Sequence, residues 1–161
     1  MASEFLPDDT GSTKRPDVIS VLGLLTFINT GIFILVYLFG VFGMLAVQEM
    51  PADEFGQLMH DAAGKYMPEE QMFMVDEIAR VIHASGFALM IIYLLRTIAR
   101  LIGAIGMWRG KKNGFYLYAG AQLIGLFAPH IFLPWSLLGV FGPLMTVAIT
   151  ATYGSQLKRL S

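Results

Sequence analysis

Two arginines lie one helical turn apart inside an apolar segment, and these residues have the clearest potential for binding chemistry. Arg96 and Arg100 are flanked by residues 87–95 and 101–108, which carry no other charge. A charged side chain at the centre of a bilayer costs at least about 2.5 kcal/mol on insertion scales, so such residues face a protein interior, water or a counter-charge. A guanidinium binds phosphate and carboxylate groups through paired hydrogen bonds. The pair therefore predicts a site for an anion or a lipid headgroup.

A second interpretation of the pair needs no ligand. If the helix leaves the membrane near Arg100, both side chains extend to the cytoplasmic headgroups along the helix surface. No Asp or Glu lies within the apolar segments, so a buried arginine has only polar partners inside the chain. Both interpretations stay open at the level of sequence. The residues predicted to form the binding site are Arg96, Arg100, Tyr93, Asn29 and Gln122.

Histidine and methionine side chains provide the weak candidates for metal or haem binding. His83 and His130 both fall near the predicted outer face, where a histidine pair could ligate haem, although interfacial histidines also serve as hydrogen-bonded side chains. Methionines near His60 offer ligands that suit Cu(I), but their scatter over two predicted helices equally fits packing. We expect no metal and no cofactor. The methionines in question are Met50, Met59, Met67, Met72 and Met74.

No residue pattern in the sequence predicts catalysis. The hydroxyl side chains of the apolar segments have no acid–base partner at a recognisable spacing. The chain has no phosphate loop, dinucleotide fingerprint or metalloprotease motif, and it has no cysteine. The absence of cysteine excludes disulfides, thiol catalysis and c-type haem. A net charge of −1 with few basic residues gives no support for nucleic-acid binding. We therefore expect a protein that is not an enzyme.

Composition and run length predict an all-α polytopic membrane protein. Of the 161 residues, 55% are hydrophobic and 14% charged, against about 25% charged in a typical soluble domain. The stretch 18–48 carries no charge, and about 20 apolar residues suffice to cross a bilayer. We predict a disordered cytoplasmic tail over residues 1–16 and a four-helix transmembrane domain over 17–161. The predicted spans are about 18–46, 83–108, 115–133 and 135–153. The third either ends near Ala128 and Pro129 or kinks there and runs on to about residue 133.

The one long extramembrane segment, residues 49–82, is acidic. It carries eight Asp and Glu residues against Lys65 and Arg80. Pro51 and Pro68 are each followed by acids, a pattern typical of a helix start, because acids there complement the helix dipole. Apolar residues recur at helical spacing after both prolines. We predict two short amphipathic helices at the membrane surface in this external loop, the second of which runs into the second spanning helix.

The distribution of basic residues predicts the orientation. Only Lys65 and Arg80 fall on one side, whereas seven fall on the side of the termini and the 109–114 turn, which predicts that both termini are cytoplasmic in a bacterial inner membrane. Trp108, Arg109, Lys111 and Lys112 are expected to anchor the helix end there. The seven are Lys14, Arg15, Arg109, Lys111, Lys112, Lys158 and Arg159.

The region after Arg100 resembles a hairpin found in small uncharacterised bacterial four-helix integral membrane proteins. The resemblance rests on residues 100–118, which read RLIGAIGMWRGKKNGFYLY, on the following AGAQ that ends at Gln122, and on 153–158, YGSQLK. It covers the last third to half of the chain. The resemblance implies a four-helix architecture and carries no activity with it.

Three functions remain open from the sequence. The first is a non-catalytic accessory or assembly subunit that acts through its helix faces and acidic loop, with another membrane protein or a second copy of itself as partner. The second is a small anion or lipid-headgroup transporter or binding protein that uses Arg96 and Arg100, with membrane lipids as partners. The third is a haem- or quinone-associated redox subunit.

Overall fold

The computed structural model describes residues 5–135 and 139–161, and all regular secondary structure within them is helical. The prediction of an all-α fold is therefore confirmed for these residues. Short 3₁₀ helices cover Glu69–Gln71, Ala128–Ile131 and Leu157–Arg159. The α-helices are α1 (Asp17–Glu49), α2 (Ala52–Ala63), α3 (Met72–Trp108), α4 (Lys112–Phe127) and α5 (Phe141–Gly154).

Two helical segments are long and apolar enough to cross a membrane. They are α1, with 33 residues, and the 40-residue segment Glu69–Trp108, which includes α3. At 1.5 Å per residue α1 is about 50 Å long, which exceeds the hydrocarbon thickness of about 30 Å. Most apolar side chains of α1 stay exposed, among them Leu24, Ile28 and Phe39. A helix with this surface needs an apolar solvent or a partner.

The other two predicted spans are shorter in the structure. α4 has 16 residues and gives way to a 3₁₀ helix that contains Pro129, because proline offers no backbone N–H to continue the helix. α5 has 14 residues and begins at Phe141 rather than at Trp135. Each α-helix is below the length of about 20 residues that a span needs. By this criterion two spans are supported and not four. Residues 136–138 of the fourth predicted span lie outside the described residues.

α3 is the central helix, because it packs along α1 on one side and α4 on the other. The predicted 109–114 turn contains Gly110, whose φ of +81° is strained for other residues, and α4 begins at Lys112 rather than at residue 115. Glycines on either side of this turn allow the backbones of α3 and α4 to come into contact. A Cβ added at Gly103 would lie 2.7 Å from the backbone nitrogen of Tyr118, and one at Gly114 would lie 2.5 Å from that of Met107.

The acidic loop folds over the first turns of α3. α2 is amphipathic and buries Phe55, and the opposing face of α3 buries Met72, Val75 and Ala79. The first predicted surface helix corresponds to α2. The second joins the predicted 83–108 span without a break, because no helix-ending residue separates them and the buried face continues from one into the other.

Residues 5–16, predicted as part of a disordered tail, are folded against the other end of the chain. The Arg159 guanidinium donates to the carbonyls of Leu6, Ser12 and Lys14 at 2.8–3.0 Å and forms a 2.9 Å ion pair with Asp8. One multivalent donor thus holds the mostly polar part of this segment in place. Phe5 and Leu160 are buried in a cluster with Ile19, Ala104, Met107, Tyr118 and Tyr153, called here the terminal core.

Candidate functional site

Arg96 and Arg100 extend from α3 into a cavity of about 410 Å³ between four helices. α1 contributes Asn29 to its wall and α4 contributes Gln122, so four of the five residues predicted for the site lie around one space. The fifth, Tyr93, lies on the far side of Arg96. The lining residues are Leu22, Leu25, Thr26, Asn29, Arg96, Arg100, Tyr118, Gln122, Met145, Thr146 and Ile149.

A short chain of hydrogen bonds fixes one end of the Arg96 guanidinium. Its Nη2 donates to Oε1 of Gln122 at 3.0 Å, and Nε2 of Gln122 donates to the Tyr118 hydroxyl at 3.3 Å. Because a guanidinium can only donate, the amide oxygen must face Arg96 and the amide nitrogen must face Tyr118. The orientation of Gln122 is therefore set by the arginine.

Arg100 is held more loosely than Arg96. Its Nη2 donates to Oδ1 of Asn29 at 3.4 Å, which is a long hydrogen bond. Its Cζ lies 5.9 Å from the centroid of the Tyr118 ring, at the outer limit of a cation–π contact. Tyr118 therefore lies beside both Gln122, the partner of Arg96, and Arg100 itself.

Both arginines retain hydrogen-bonding capacity that the described residues do not use. The Nε atoms of Arg96 and Arg100 are buried and have no hydrogen-bond partner. Across residues 5–135 and 139–161 no carboxylate oxygen lies within 4.0 Å of either guanidinium. Leaving a buried donor unpaired costs about 1–3 kcal/mol and more for a charged group. The site thus holds two positive charges without a nearby carboxylate, and some of their N–H donors are unused by the described residues.

Gly125 makes room for the Arg96 side chain where it crosses α4. A Cβ added at Gly125 would overlap Nε, Cδ and Cζ of Arg96. Beyond this crossing lies a second cavity of about 240 Å³, lined by Arg96 together with Tyr93 and His130. Tyr93 itself stacks on Tyr37 of α1, with ring centroids 5.4 Å apart. Arg96 therefore separates two cavities, and Tyr93 belongs to the second.

The position of the arginine pair along the bundle follows from where its partners lie on their helices. Gln122 lies ten residues into α4, so about 15 Å of helix separates it from Lys112. Side chains on a helix lean towards its N-terminus, which for α3 is the end remote from Trp108. Both guanidinium groups contact residues between the helices rather than the basic cluster at the helix ends. The pair therefore lies between the helices of the bundle.

The residues predicted as anchors lie where α3 ends. Trp108 is the last residue of α3, and Arg109, Lys111 and Lys112 are exposed beside it. The Trp108 ring packs against Gly23 of α1. It is covered by Arg15, whose Cζ lies 3.8 Å from the ring centroid. Trp108 thus also joins α3 to α1.

The two histidines bind different parts of the chain. Nε2 of His83 lies 2.9 Å from the Met50 carbonyl oxygen. Nδ1 of His130 lies 3.2 Å from the carbonyl oxygen of Pro134, and its ring stacks on Trp135. Within the described part of the chain, no three His, Asp or Glu side chains form a group that could hold a metal ion. The geometry therefore gives these histidines structural roles at loop carbonyls.

Comparison with known proteins adds no assignment: no protein-family model, curated protein or solved structure matches this chain. The participation of Tyr118 and Gly125 was missed by the sequence reasoning. The only signal for them was their helical spacing from Gln122, since residues 118, 122 and 125 share one face of α4.

Proposed function

We propose that this protein binds an anionic group, of the phosphate or carboxylate class, at Arg96 and Arg100 within the membrane. The observation that carries the proposal is the pair of buried, unpartnered Nε atoms beside a cavity of about 410 Å³. An anion accepts hydrogen bonds from such donors and offsets two positive charges at once. Guanidinium groups suit this role because their planar fork matches phosphate and carboxylate oxygens.

The test measures binding to arginine variants purified in a zwitterionic detergent. Inorganic phosphate and a phosphatidic acid serve as probes, with affinity read by native mass spectrometry and thermal shift. Replacing Arg96 or Arg100 with Gln should weaken binding about 10- to 100-fold each, as expected for hydrogen bonds to a charged group. Arg80→Gln is the matched control, because Arg80 lies on α3 outside the cavity and donates to the Asp76 carbonyl of its own helix. Equal binding by all variants would refute the proposal.

The proposed setting is a bacterial inner membrane crossed four times, with both termini in the cytoplasm. Support comes from the basic residues beside Trp108 and from the continuation of α4 into the 3₁₀ helix, which together cover 112–131. Because the chain has no cysteine, single cysteines report accessibility cleanly. In intact cells an impermeant maleimide should label Tyr66→Cys in the outer loop and spare Lys111→Cys. The reverse pattern would invert the topology.

A second candidate function is that of an accessory subunit that packs against another membrane helix. Gly31 and Gly43 of α1 have nothing within 4 Å of an added Cβ, so they are small positions that the described residues leave uncovered. Small residues are where helices approach closely in lipid. Replacing both with Leu should abolish co-purification of a partner or a second copy while leaving anion binding unchanged. A monomer that captures nothing before the change would contradict this function.

A further inference from the structure

We infer that the anion is the headgroup of an amphiphile that enters sideways from the bilayer, between α1 and α5, rather than a solute from the cytoplasmic water. The inference rests on the proposed function, because it specifies which source of the anionic group the Arg96 and Arg100 site can use. It is carried by two observations: the cavity is closed towards the chain termini, and it is open towards the exposed apolar surface.

The terminal core closes the cavity on the side of the termini. Tyr118, at the cavity wall, and Met107 behind it have no exposed surface. The Tyr153 hydroxyl lies 3.0 Å from Oγ1 of Thr26, which joins α5 to α1 between the cavity and the termini. The rings of Tyr118 and Tyr153 meet edge to face at 5.0 Å. A hydrated anion from this side would have to pass through a close-packed apolar layer.

The cavity is open at the side of the bundle, between α1 and α5. α1 and α5 touch at few points, and beyond the Thr26 contact the gap between them is bordered by Leu25 and Met145. Leu25 is 58% exposed and Met145 43% exposed, while both line the cavity. Asn29, which binds Arg100, is also exposed at this gap. The polar interior therefore opens through an apolar rim.

This combination selects the chemistry of the ligand. A polar solute gains nothing from an apolar rim that faces hydrocarbon, whereas a phosphate- or carboxylate-bearing lipid can place its headgroup on the arginines. Its acyl chains then leave through the gap and remain against Leu25, Met145 and the surrounding lipid. Exposing an acyl chain to water would cost about 0.8 kcal/mol for each methylene. This cost is avoided here, because the chains stay in the bilayer while the headgroup binds.

The experiment obstructs the mouth of the cavity without touching the arginines. Leu25→Trp and Met145→Trp each place an indole at one side of the gap. Leu24→Trp and Leu144→Trp are matched controls, because these neighbours are 56% and 61% exposed and do not line the cavity. Each protein is first checked for an unchanged thermal unfolding midpoint. Phosphatidic acid and inorganic phosphate are then titrated in zwitterionic detergent by native mass spectrometry.

We expect both rim variants to bind phosphatidic acid at least about tenfold more weakly than their controls. Arginine-dependent binding of inorganic phosphate without binding of phosphatidic acid would overturn the inference while leaving the proposed function intact. So would phosphatidic acid binding that is the same in rim and control variants. Failure of the unaltered protein to bind either probe would reject the proposed function itself, and the inference with it. Agreement of the two rim variants guards against a local folding defect in one of them.

Discussion

At the scale of single residues, Gly125 determines where the Arg96 side chain can lie. The arginine crosses α4 at the one position in its path that has no side chain, and there it reaches Gln122. A larger residue at 125 would force the guanidinium out of this groove. The arginine site therefore depends on a residue that carries no functional group.

Gly125→Ala should displace Arg96, break its hydrogen bond to Gln122 and weaken anion binding. Because the Arg96 side chain is flexible and can move aside, the loss should fall mainly on binding rather than on stability. Gly120→Ala is the control on the same helix, because an added Cβ there meets nothing within 4 Å. The control should be neutral or slightly stabilising, since Ala favours helix by about 1 kcal/mol over Gly. Thermal unfolding in detergent and the binding assay check both variants, and equal behaviour would contradict the predicted crossing.

Thr150 offers a second prediction at this scale. Its Oγ1 is buried and has no hydrogen-bond partner among the described residues, whereas Oγ1 of Thr26 pairs with Tyr153. Replacing an unpaired buried hydroxyl with a methyl removes a desolvation cost. Thr150→Val should therefore leave the unfolding midpoint unchanged or raise it. Thr26→Val should lower the midpoint, because it should reduce the free energy of unfolding by about 1 kcal/mol. A lower midpoint for Thr150→Val would show that the hydroxyl is bonded.

At the scale of helices, the contact between α3 and α4 depends on three glycines that bring two backbones together. They are Gly103, Gly106 and Gly114, and the nearest neighbour of an added Cβ at each is a backbone atom. A flexible side chain can move aside, but here one whole helix would have to move. Close backbone approach at small residues is a main source of helix association in lipid.

Gly103→Ala and Gly114→Ala should each destabilise the protein by about 1–3 kcal/mol or more. Gly43→Ala on α1 is the control, because it has open space around it. The measurement is the detergent- or denaturant-induced unfolding of all three variants under the same conditions. If Gly114→Ala unfolds like the control, the contact between α3 and α4 is looser than the structure indicates.

The helices also show which parts of the fold a sequence can predict. α1 and the end of α3 at Trp108 were predicted because long uncharged runs and a terminal Trp-basic cluster are local signals. The start of α5 was not, because hydropathy stays high before Phe141 although the helix begins only there. The end of α4 at Phe127 matches the alternative in which the third helix ends near Ala128 and Pro129. The second surface helix was expected to run into the span at residue 83, and α3 is continuous there, since one of its faces is buried under α2. Hydropathy does not record the packing and the backbone geometry that set a helix start such as that of α5.

The same limit applies to the site. Asn29 and Gln122 were predicted as partners because they are among the few polar residues in apolar segments. The choice between a buried and a snorkelling arginine pair could not be made, because it depends on which helix lies against α3. Tyr118 was missed because a tyrosine in an apolar helix is equally suited to packing and to hydrogen bonding.

At the scale of the whole molecule, Arg159 joins the two ends of the chain. The pKa of the Asp8 carboxyl is lowered to about 2, first by the Thr10 hydroxyl, then by the Ser12 backbone N–H, with a smaller contribution from the Arg159 charge. Because this pKa is lower when folded than its ordinary value of 3.8, the ionised carboxylate stabilises the folded segment above that value. The stabilisation is lost as the pH falls towards 2.

Acid should therefore loosen residues 5–14 before it unfolds the helices. Hydrogen exchange of this segment, relative to an unstructured peptide of the same sequence, should rise between pH 4 and pH 2 (about the span between the two pKa values). Asp8→Asn should remove most of that pH dependence, and Arg159→Ala should raise exchange at every pH. A segment that exchanges freely at neutral pH would contradict the ordered arrangement.

The meeting of the chain ends has a consequence for how the polypeptide can be connected. The Leu6 N–H donates to the Arg159 carbonyl at 2.9 Å, so a short peptide linker could join the two ends. Cutting the loop beside Tyr66, which is 88% exposed, would then give a circularly permuted protein. In the proposed topology, its new ends would lie on the side of the membrane opposite to the old ones. Such a permutant would carry the same bundle and the same arginine cavity in a chain whose ends lie at the acidic loop.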